Sequence, residues 1–371
     1  MSKRNVQSVI RVAIGGQGRS GYGIHADWLK KAPDQYRIVA VADQMADRRR
    51  DAEQEFGART FSDWRPMIKA GGFDLFVNAL PTPLHTAATI AAFEAGHDVV
   101  CEKPLARSVA AFDRMTAAAR KARRILAPFQ NNRLQPFFLK IMEVVQSGKL
   151  GEILHVRSHW GDFRRRWDWQ TLQRNCGGVL FNTGPHAIDH ALCFFDPDDD
   201  PEVFCRMRFR HKLGGDAEDL CDVTLNASRG PIVEIHLTSY QAYPPSDMYT
   251  IAGTLGSLAG NAHALRWKYY DPRKAPRQKM WRWSVNRQYP AETLPWVEEQ
   301  WSVDEGISTG AKSGYTLPSF QAGVALFYQN IRSAMLHKTP LLITPAQVRR
   351  QIAVIEECHR QNRPAALRAR R

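Results

Sequence analysis

Short, almost wholly apolar runs alternate with stretches of helical periodicity over the first 150 residues. Strands that are buried on both faces of a parallel sheet have this character, and helices are the usual connections between them. One such helical stretch, TAATIAAFEAG, ends in a glycine, as many helices do. The pattern therefore predicts a doubly wound α/β sheet. The predicted strands are VIRVAIGG, YRIVAVAD, FDLFVNALP, HDVVCEKP and RILAPFQN.

Beyond about residue 150 apolar residues recur at every second position, which is the period of a β-strand. In VFCRMRFR (203–210) apolar side chains alternate with arginines, and DVTLNA and IVEIHLTSY alternate in the same way. Such alternation is typical of an antiparallel sheet with one covered face and one wetter face. Residues 262–316 are rich in Trp, Arg and Pro, and they have no period that assigns an element.

The chain becomes helical again near its C-terminus. LPSFQAGVALFYQNIRSAMLHK has helical periodicity, and Thr344 predicts the N-cap of a last helix. We therefore expect an α/β domain with a doubly wound parallel sheet over 1–130. A second α/β domain with an open, mainly antiparallel sheet is expected over 131–345, and a C-terminal helix and tail over 346–371.

The composition is that of a protein with two hydrophobic cores, because 371 residues with 44% hydrophobic content exceed what one core needs. No run of roughly 18 apolar residues occurs, which predicts no membrane-spanning helix. The N-terminus has no secretory signal pattern. Six cysteines without a C-x-x-C pair predict reduced thiols and a cytoplasmic location, and they argue against a zinc ribbon.

The net charge of the chain is +14, from 51 basic and 37 acidic residues. Such an excess can indicate nucleic-acid binding. However, the arginines fall in separate clusters, and no nucleic-acid motif accompanies them. Solvated faces and the attraction of an anionic cofactor or substrate explain the charge better, so we expect neither a nucleic-acid nor a membrane partner.

A glycine-rich loop directly follows the first predicted strand and opens a predicted helix. Glycines in this context let the backbone approach a pyrophosphate, whose charge then lies at the helix N-terminus. The order of strand, loop and helix makes the segment a dinucleotide-binding fingerprint. The predicted cofactor contacts in it are Gly16, Gly18, Arg19, Ser20 and Gly21.

The ribose of such a cofactor has its own candidate residue. Asp43 ends the second predicted strand, 22 residues beyond Gly21. A carboxylate there accepts both ribose hydroxyls and repels a 2′-phosphate, which predicts NAD and makes NADP the less favoured cofactor. Arg48 is a counter-argument, because a nearby arginine can accept a 2′-phosphate.

Two polar segments follow later strands, at the edge of the sheet where ligands bind. Thr82 and His85 lie in the loop after FDLFVNALP, and Glu102 and Lys103 follow HDVVC. We expect all four residues to lie near the cofactor. Thr82 can also cap the next helix, and a capping or surface role explains His85 equally well. A salt-bridged strand end is the alternative for Glu102 and Lys103.

The segment GGVLFNTGPHAIDH (177–190) places two histidines four residues apart, as metal sites on helices require. An inverted zinc-protease motif would use a glutamate and a third ligand, so we predict no metal here. Gly184 begins a predicted helix, which puts His186 in the first turn, where the helix dipole lowers an imidazole pKa. Asp189 is expected to orient His186, and His190 to lie in a core.

Together these pieces resemble the Gfo/Idh/MocA family, named after glucose–fructose oxidoreductase, inositol dehydrogenase and a rhizopine catabolism protein. The resemblance covers nearly the whole chain. The segments that carry it are GQGRSG, PTPLH, AAFEAGHDVVCEKPLA, SGKLGEILHV and GGVLFNTGPHAIDH.

The resemblance implies a Rossmann domain followed by an α/β domain whose open sheet often forms the oligomer interface, so a homodimer or homotetramer is expected. It implies NAD(P)-dependent hydride transfer at a secondary alcohol, or the matching ketone, of a sugar, inositol or related polyol. The family's catalytic lysine falls on Lys103 and its general acid/base on His186. The family's aspartate position holds Asn182. This is a departure from the family pattern, because an amide neither takes up a proton nor carries a charge at neutral pH.

We expect the substrate to contact Thr183, Arg164 and Trp169, with Trp160 and Trp167 as further stacking candidates. Core packing explains any single tryptophan equally well. Two other functions stay open. The first is an NAD-dependent glycosidase that oxidises its sugar transiently, and the second is a non-enzymatic NAD-binding regulator.

Overall fold

The computed structural model describes residues 9–210, 214–284, 287–303 and 318–362. Its N-terminal part is built on a six-stranded parallel sheet in the order β3-β2-β1-β4-β5-β6. This order is that of dinucleotide-binding domains, and it confirms the predicted doubly wound sheet. The strands are β1 (Ile10–Gly15), β2 (Tyr36–Ala42), β3 (Arg59–Phe61), β4 (Leu75–Asn78), β5 (Asp98–Cys101) and β6 (Leu126–Pro128).

Every residue of β4 and β5 is buried, so both faces of the sheet are covered at its centre. The edge strand β3 has only three residues and none of them is buried, which is why no apolar run announced it. The helices around this sheet are a π-helical turn (Gly21–Ala26), α1 (Asp27–Leu29), α2 (Ala46–Phe56), α3 (Trp64–Ala70), α4 (His85–Glu94) and α5 (Val109–Ala122).

The C-terminal part contains an eight-stranded sheet in the order β14-β13-β12-β11-β7-β10-β9-β8. All neighbours are antiparallel except β7 and β10, which confirms a mainly antiparallel sheet. The strands are β7 (Ile153–Gly161), β8 (Glu202–Arg208), β9 (Leu220–Asn226), β10 (Ile232–Thr238), β11 (Tyr249–Gly253), β12 (Gly256–Gly260), β13 (Ala264–Tyr270) and β14 (Trp296–Ser302).

The segment 262–316, which the sequence left unassigned, supplies β13 and β14, paired along their full length. Residues 285–286 and 304–316 of it lie outside the described residues. The remaining helices are α6 (Pro136–Gln146), α7 (Val179–Asn182), α8 (Gly184–Leu192), α9 (Pro318–His337) and α10 (Pro345–Gln361).

Helices α9 and α10 join the two hydrophobic cores. Val324 and Tyr328 of α9 are buried in the core of the first sheet, although they lie within the predicted second domain, 131–345. Ile352 of α10 is buried in the same core, whereas Ile355 of α10 belongs to the second. The boundaries at 130 and 345 stay a prediction, and packing does not follow the order of the chain because α9 returns to the first sheet.

Local signals in this region agree with the sequence. The Thr344 side chain accepts a hydrogen bond from the Gln347 backbone, and the Gln347 side chain accepts one from the Thr344 backbone, so α10 begins with a capping box. All six cysteines are unpaired thiols. None of the helices in the described part of the chain combines the length and apolar character needed to span a bilayer.

Candidate active site

The glycine-rich loop crosses the carboxyl end of β1 and leads into the π-helical turn. A Cβ at Gly16, whose φ is +90°, would collide with the carbonyl oxygen of Ala79, and one at Gly21 would collide with the carbonyl oxygen of Gly16. A Cβ at Gly18 would meet only the Arg48 guanidinium, 3.8 Å away. Packing thus requires glycine at the first and third positions, and the second leaves open space of the kind a pyrophosphate needs.

Asp43 lies directly after β2 and is 9% exposed. Its carboxylate accepts hydrogen bonds from the backbone N–H of Gln17 (2.8 Å) and of Met45 (2.9 Å). The guanidinium of Arg48 lies 3.3 Å from the same carboxylate. Asp43 is therefore a fixed acid with an arginine beside it at the carboxyl end of β2. Its contact with a ribose stays a prediction.

His85 has a different role from the predicted cofactor contact. It is 1% exposed, its Nδ1 lies 2.9 Å from the Pro104 carbonyl oxygen, and its Nε2 lies 2.8 Å from the Leu80 carbonyl oxygen. Burial lowers the pKa of His85. Each ring nitrogen faces a backbone carbonyl, and a neutral imidazole donates its one N–H to one of the two. The side chain thus lies between the loops after β4 and β5, and neither nitrogen is directed at a cofactor.

Thr82 lies in the short 3₁₀ turn Thr82–Leu84, and its side chain is 7% exposed. The predicted capping role is not found, because neither this turn nor α4 has a side-chain cap. Thr82 stays a predicted cofactor contact on its position alone.

Lys103 follows β5 and reaches the second domain. Its amine donates a hydrogen bond to the backbone carbonyl of Asn182, 2.9 Å away, and the Lys103–Pro104 peptide bond is cis. Burial lowers the pKa of Lys103. Glu102 opposes that shift, and the charges of Arg19 and Arg166 add to it. The structure thus brings the predicted lysine to the segment that carries the predicted base.

A buried chain of hydrogen bonds lies behind Lys103. Glu102, 5% exposed, accepts a hydrogen bond from the Lys103 backbone N–H (3.0 Å) and lies 3.2 Å from His25 Nε2. The other ring nitrogen of His25 lies 2.6 Å from the Tyr328 hydroxyl. Burial would raise the pKa of Glu102, but the His25 hydrogen bond and the Lys103 charge keep it below its usual value.

His186 lies in the first turn of α8, as predicted. Burial lowers its pKa well below the usual value, and the charges of Lys103, His190 and Arg19 add to this. The predicted low pKa is thus found, with burial and nearby cations as its cause. Nδ1 of His186 is buried and has no hydrogen-bond partner among the described residues. The ring is a neutral imidazole at neutral pH and can accept a proton.

Asp189 does not orient His186, which corrects that prediction. Both Asp189 oxygens are held by the Arg133 guanidinium in a buried ion pair, one at 2.8 Å and one closer. His190 is fully buried as predicted, with Nδ1 2.8 Å from the Tyr249 hydroxyl and its ring stacked on Phe138. Among the described residues, no three His, Cys, Asp or Glu side chains are placed to hold a metal ion.

A cavity of about 260 Å³ lies against α7 in the second domain. Of the predicted substrate contacts, Thr183 and Arg164 line it, as does Asn182. The predicted contact with Trp169 is not supported. Trp169 is 43% exposed and lies outside the wall, although the next two residues of its turn, Gln170 and Thr171, line it. Trp160 provides the indole of the wall instead.

Glu218 is a residue of this cavity that the sequence did not single out. It is 1% exposed, and one carboxyl oxygen accepts a hydrogen bond from the Leu180 N–H at 3.0 Å. A Cβ at Gly178 would collide with this carboxyl, so the close approach requires glycine there. Burial raises the pKa of Glu218 to about 8. An acidic residue just before an alternating strand was the only sequence signal for it.

Two family models match the chain. The model described as the oxidoreductase family with an NAD-binding Rossmann fold covers residues 10–129. The model of the GFO/IDH/MocA C-terminal domain covers residues 138–259. The first match contains the six-stranded sheet with its glycine-rich loop, and the second contains the cavity wall and α8.

Relatives and solved structures agree with these models. An uncharacterized oxidoreductase of Schizosaccharomyces pombe is 27% identical over 190 residues, 50% of this chain and 52% of the relative, so the match spans about half of that relative. The scyllo-inositol 2-dehydrogenase (NADP(+)) of Bacillus subtilis is 23% identical over 363 residues, 95% of this chain and 94% of the relative. The WlbA dehydrogenase from Bordetella pertussis, solved with NADH and UDP-GlcNAcA, has a TM-score of 0.75 at 20% identity and covers 95% of this chain and 96% of that one.

Proposed function

Because this chain belongs to the GFO/IDH/MocA family of oxidoreductases, we propose that it transfers hydride between NAD and a secondary alcohol, or the matching ketone, of a sugar, inositol or related polyol. The observation that carries the proposal is the meeting of Lys103, at the carboxyl end of β5, with the α7–α8 segment that holds Asn182 and His186. Asn182 lines the cavity and connects the Lys103 amine to its wall, and a cation with a neutral imidazole is what alcohol oxidation needs.

NAD, when bound, supplies the hydride acceptor. The loop with Gly16, Gly18 and Gly21 would hold its pyrophosphate, and Asp43 its ribose, because the open space at Gly18 and the fixed carboxylate match those groups. His186 takes the proton of the substrate hydroxyl as the hydride leaves. The Lys103 amine donates a hydrogen bond to the same oxygen and stabilises the negative charge that develops there.

Burial and neighbouring residues fix the protonation state of His186 and the position of Lys103. Burial of His186 keeps its imidazole neutral and ready to accept a proton. Glu102, itself held by His25, anchors the backbone N–H of Lys103. The Asn182 carbonyl directs the Lys103 amine toward α7.

The test is oxidation of a panel of sugars, inositols and glycosides with NAD, followed at the NADH absorbance, and the reverse reaction with keto sugars and NADH. The parent protein is expected to form NADH from at least one polyol, and His186→Ala is expected to lose this activity while still binding NAD. Glycoside cleavage without net NADH would favour the glycosidase alternative. NAD binding without turnover on any compound would favour the regulator.

We propose further that a second copy of the chain covers the outer face of the eight-stranded sheet. Phe204 and Ile232 are 56% and 46% exposed and lie on that face. Phe204 is in the same row of the sheet as the ion pair of Arg157 and Glu234, and Ile232 lies two residues before Glu234. Sedimentation of the parent protein and of Phe204→Glu tests this. A monomeric parent protein would contradict it.

A further inference from the structure

The cavity beside Asn182 has a cluster of arginines in its wall. The charged and acidic residues that line it are Arg164, Arg165, Arg166, Asp162, Glu218 and Asp219. Arg164 and Arg166 each pair with an aspartate two residues away, at 2.5 and 2.6 Å. A guanidinium has five N–H groups, so a pair with one carboxylate does not use all of the donors of an arginine.

The two aspartates of the wall already have hydrogen-bond or ion-pair partners. Asp162 pairs with Arg164 (2.5 Å), and Asp219 accepts a hydrogen bond from the Tyr240 hydroxyl (2.5 Å) and bonds from the Arg210 N–H. These carboxylates therefore offer a ligand fewer free acceptor sites than the arginines offer donors.

Two buried polar atoms in the wall have no partner among the described residues. They are Nε1 of Trp160, in a side chain 9% exposed, and Oε2 of Glu218, in a residue 1% exposed. The indole N–H can only donate a hydrogen bond. Leaving a buried polar group unpaired is unfavourable, so both atoms point to a ligand that pairs with them.

Glu218 acts as a donor too. Its pKa of about 8 means that the carboxyl is mostly protonated at pH 7. Because Oε1 already accepts the Leu180 N–H, the proton belongs on Oε2, the atom without a partner. The unpaired groups of the wall are thus donors, and an oxyanion, which only accepts hydrogen bonds, matches them more fully than a hydroxyl, which also needs an acceptor for its own proton.

We propose that this cavity takes a sugar that carries an oxyanion, either a carboxylate or a phosphate, held by the arginines at 164–166 and by the buried Trp160 and Glu218. The inference rests on the proposed function, because it names the substrate class of the same site. Arginine suits the role, since its planar fork forms paired hydrogen bonds to carboxylate and phosphate oxygens. A bound anion would also offset the crowding of cations near Lys103, whose pKa Arg166 lowers.

The test measures binding to the NADH-loaded full chain by calorimetry, so it does not depend on turnover. The probes are matched sets: D-glucose with D-glucuronate and glucose 6-phosphate, and D-galactose with D-galacturonate and galactose 6-phosphate. At least one acid is expected to bind ten-fold or more tightly than its neutral parent, and the gap should shrink as salt rises. A preference for the uronates or for the phosphates identifies the oxyanion. No acid binding better than its parent would overturn the proposal.

Variants separate this site from general effects on the fold. Arg165→Gln is expected to weaken acid binding about five- to ten-fold and to leave binding of the neutral parent unchanged, and Arg165→Lys should retain part of the gap. The control is Arg273→Gln. Arg273 also pairs with an aspartate two residues away, Asp271, but does not line the cavity, and this change should have no effect. Equal loss for acid and neutral parent in Arg165→Gln would overturn the proposal.

Turnover distinguishes the proposed hydride transfer from the proposed oxyanion site. NADH formed from uronates or sugar phosphates in preference to neutral sugars supports both. NADH formed equally well from acids and their neutral parents contradicts the oxyanion site alone. Tight acid binding without oxidation or reduction of any compound contradicts the proposed function.

Discussion

The amine of Lys103 donates its hydrogen bond to the backbone carbonyl of Asn182, at 2.9 Å, and not to the side chain of that residue. Any residue at position 182 supplies the same carbonyl. Asparagine in place of the aspartate that the resemblance to the family implies therefore leaves the lysine anchored, and it removes a negative charge from the cavity wall. Asparagine at position 182 therefore affects the proton affinity of the neighbouring groups more than the position of Lys103.

Asn182→Asp is expected to shift the acidic limb of the pH profile for alcohol oxidation toward higher pH. A carboxylate within contact range raises the pKa of a cation-forming group by roughly 1–3 units. His186 would then stay protonated, and inactive as a base, up to a higher pH. The measurement is kcat/KM against pH. Asn182→Ala keeps the carbonyl and adds no charge, so its limb should not shift. An unshifted limb in the aspartate variant would mean that His186 is not the titrating base or that residue 182 does not contact it.

Lys103→Met should lower turnover on the order of 100–1,000-fold, the usual effect of losing a preorganised donor to a developing oxyanion. Binding of NAD, measured by fluorescence quenching, should change little. The matched control is Lys121→Met on the exposed side of α5, which should behave like the parent protein. Near-normal turnover in Lys103→Met would remove the lysine from the mechanism.

NAD is expected to bind more tightly than NADP, because the Asp43 carboxylate meets the 2′-phosphate with like charge. Asp43→Asn keeps the shape of the side chain and should narrow the gap roughly ten-fold, which corresponds to about 1.4 kcal/mol. Arg48→Ala should weaken NADP more than NAD. Calorimetric titration of both cofactors against the three proteins decides this, and a parent protein that prefers NADP would make Arg48 the dominant residue.

Glu218→Gln should become more stable relative to the parent protein as pH rises. The folded-state pKa of Glu218 is about 8, against an ordinary value of 4.5. Between these values the native chain keeps a proton that the unfolded chain has lost. The stabilisation is therefore complete below pH 4.5 and is lost as pH rises through 8. Glutamine does not titrate, so the variant avoids this loss.

The measurement for this prediction is the urea midpoint of both proteins at pH 5, 7 and 9. The free energies of unfolding derived from these midpoints are expected to differ increasingly in favour of the variant, by up to a few kcal/mol, and the difference should level off above pH 8. Glu94→Gln, an exposed change at the end of α4, should give a difference that does not vary in this way. A constant difference for Glu218→Gln would mean that its carboxyl is ionised throughout.

Tyr328→Phe should lower kcat several-fold with little change in KM, because loss of the hydroxyl frees His25, which holds Glu102 behind Lys103. Tyr36→Phe is the matched control, since its hydroxyl bonds to the Tyr328 carbonyl at 2.6 Å and does not contact His25. Both variants should lose about 1 kcal/mol of stability. Equal kcat values in the two variants would mean that the hydrogen bonds behind Lys103 stabilise the fold and do not affect catalysis.

The sequence by itself determined those features that depend on neighbours along the chain. The apolar runs predicted the parallel sheet, the period of two predicted the second sheet, and the glycine spacing predicted the dinucleotide loop. Thr344 predicted the start of the last helix, and Gly184 placed His186 in the first turn of α8. Each of these rests on local geometry, because strand alternation, caps and tight turns are set within a few residues.

The tertiary structure decided which polar groups meet, because their partners lie far apart in the chain. Asp189 has His186 three residues away, yet Arg133 binds it. His85 follows the expected loop, yet the Pro104 carbonyl, brought close by the pairing of β4 and β5, holds its ring. Glu218 has only its place before an alternating strand as a local signal, and its raised pKa follows from burial against α7. Burial and long-range pairing set the charges of this site, and both exist only once the two cores have formed.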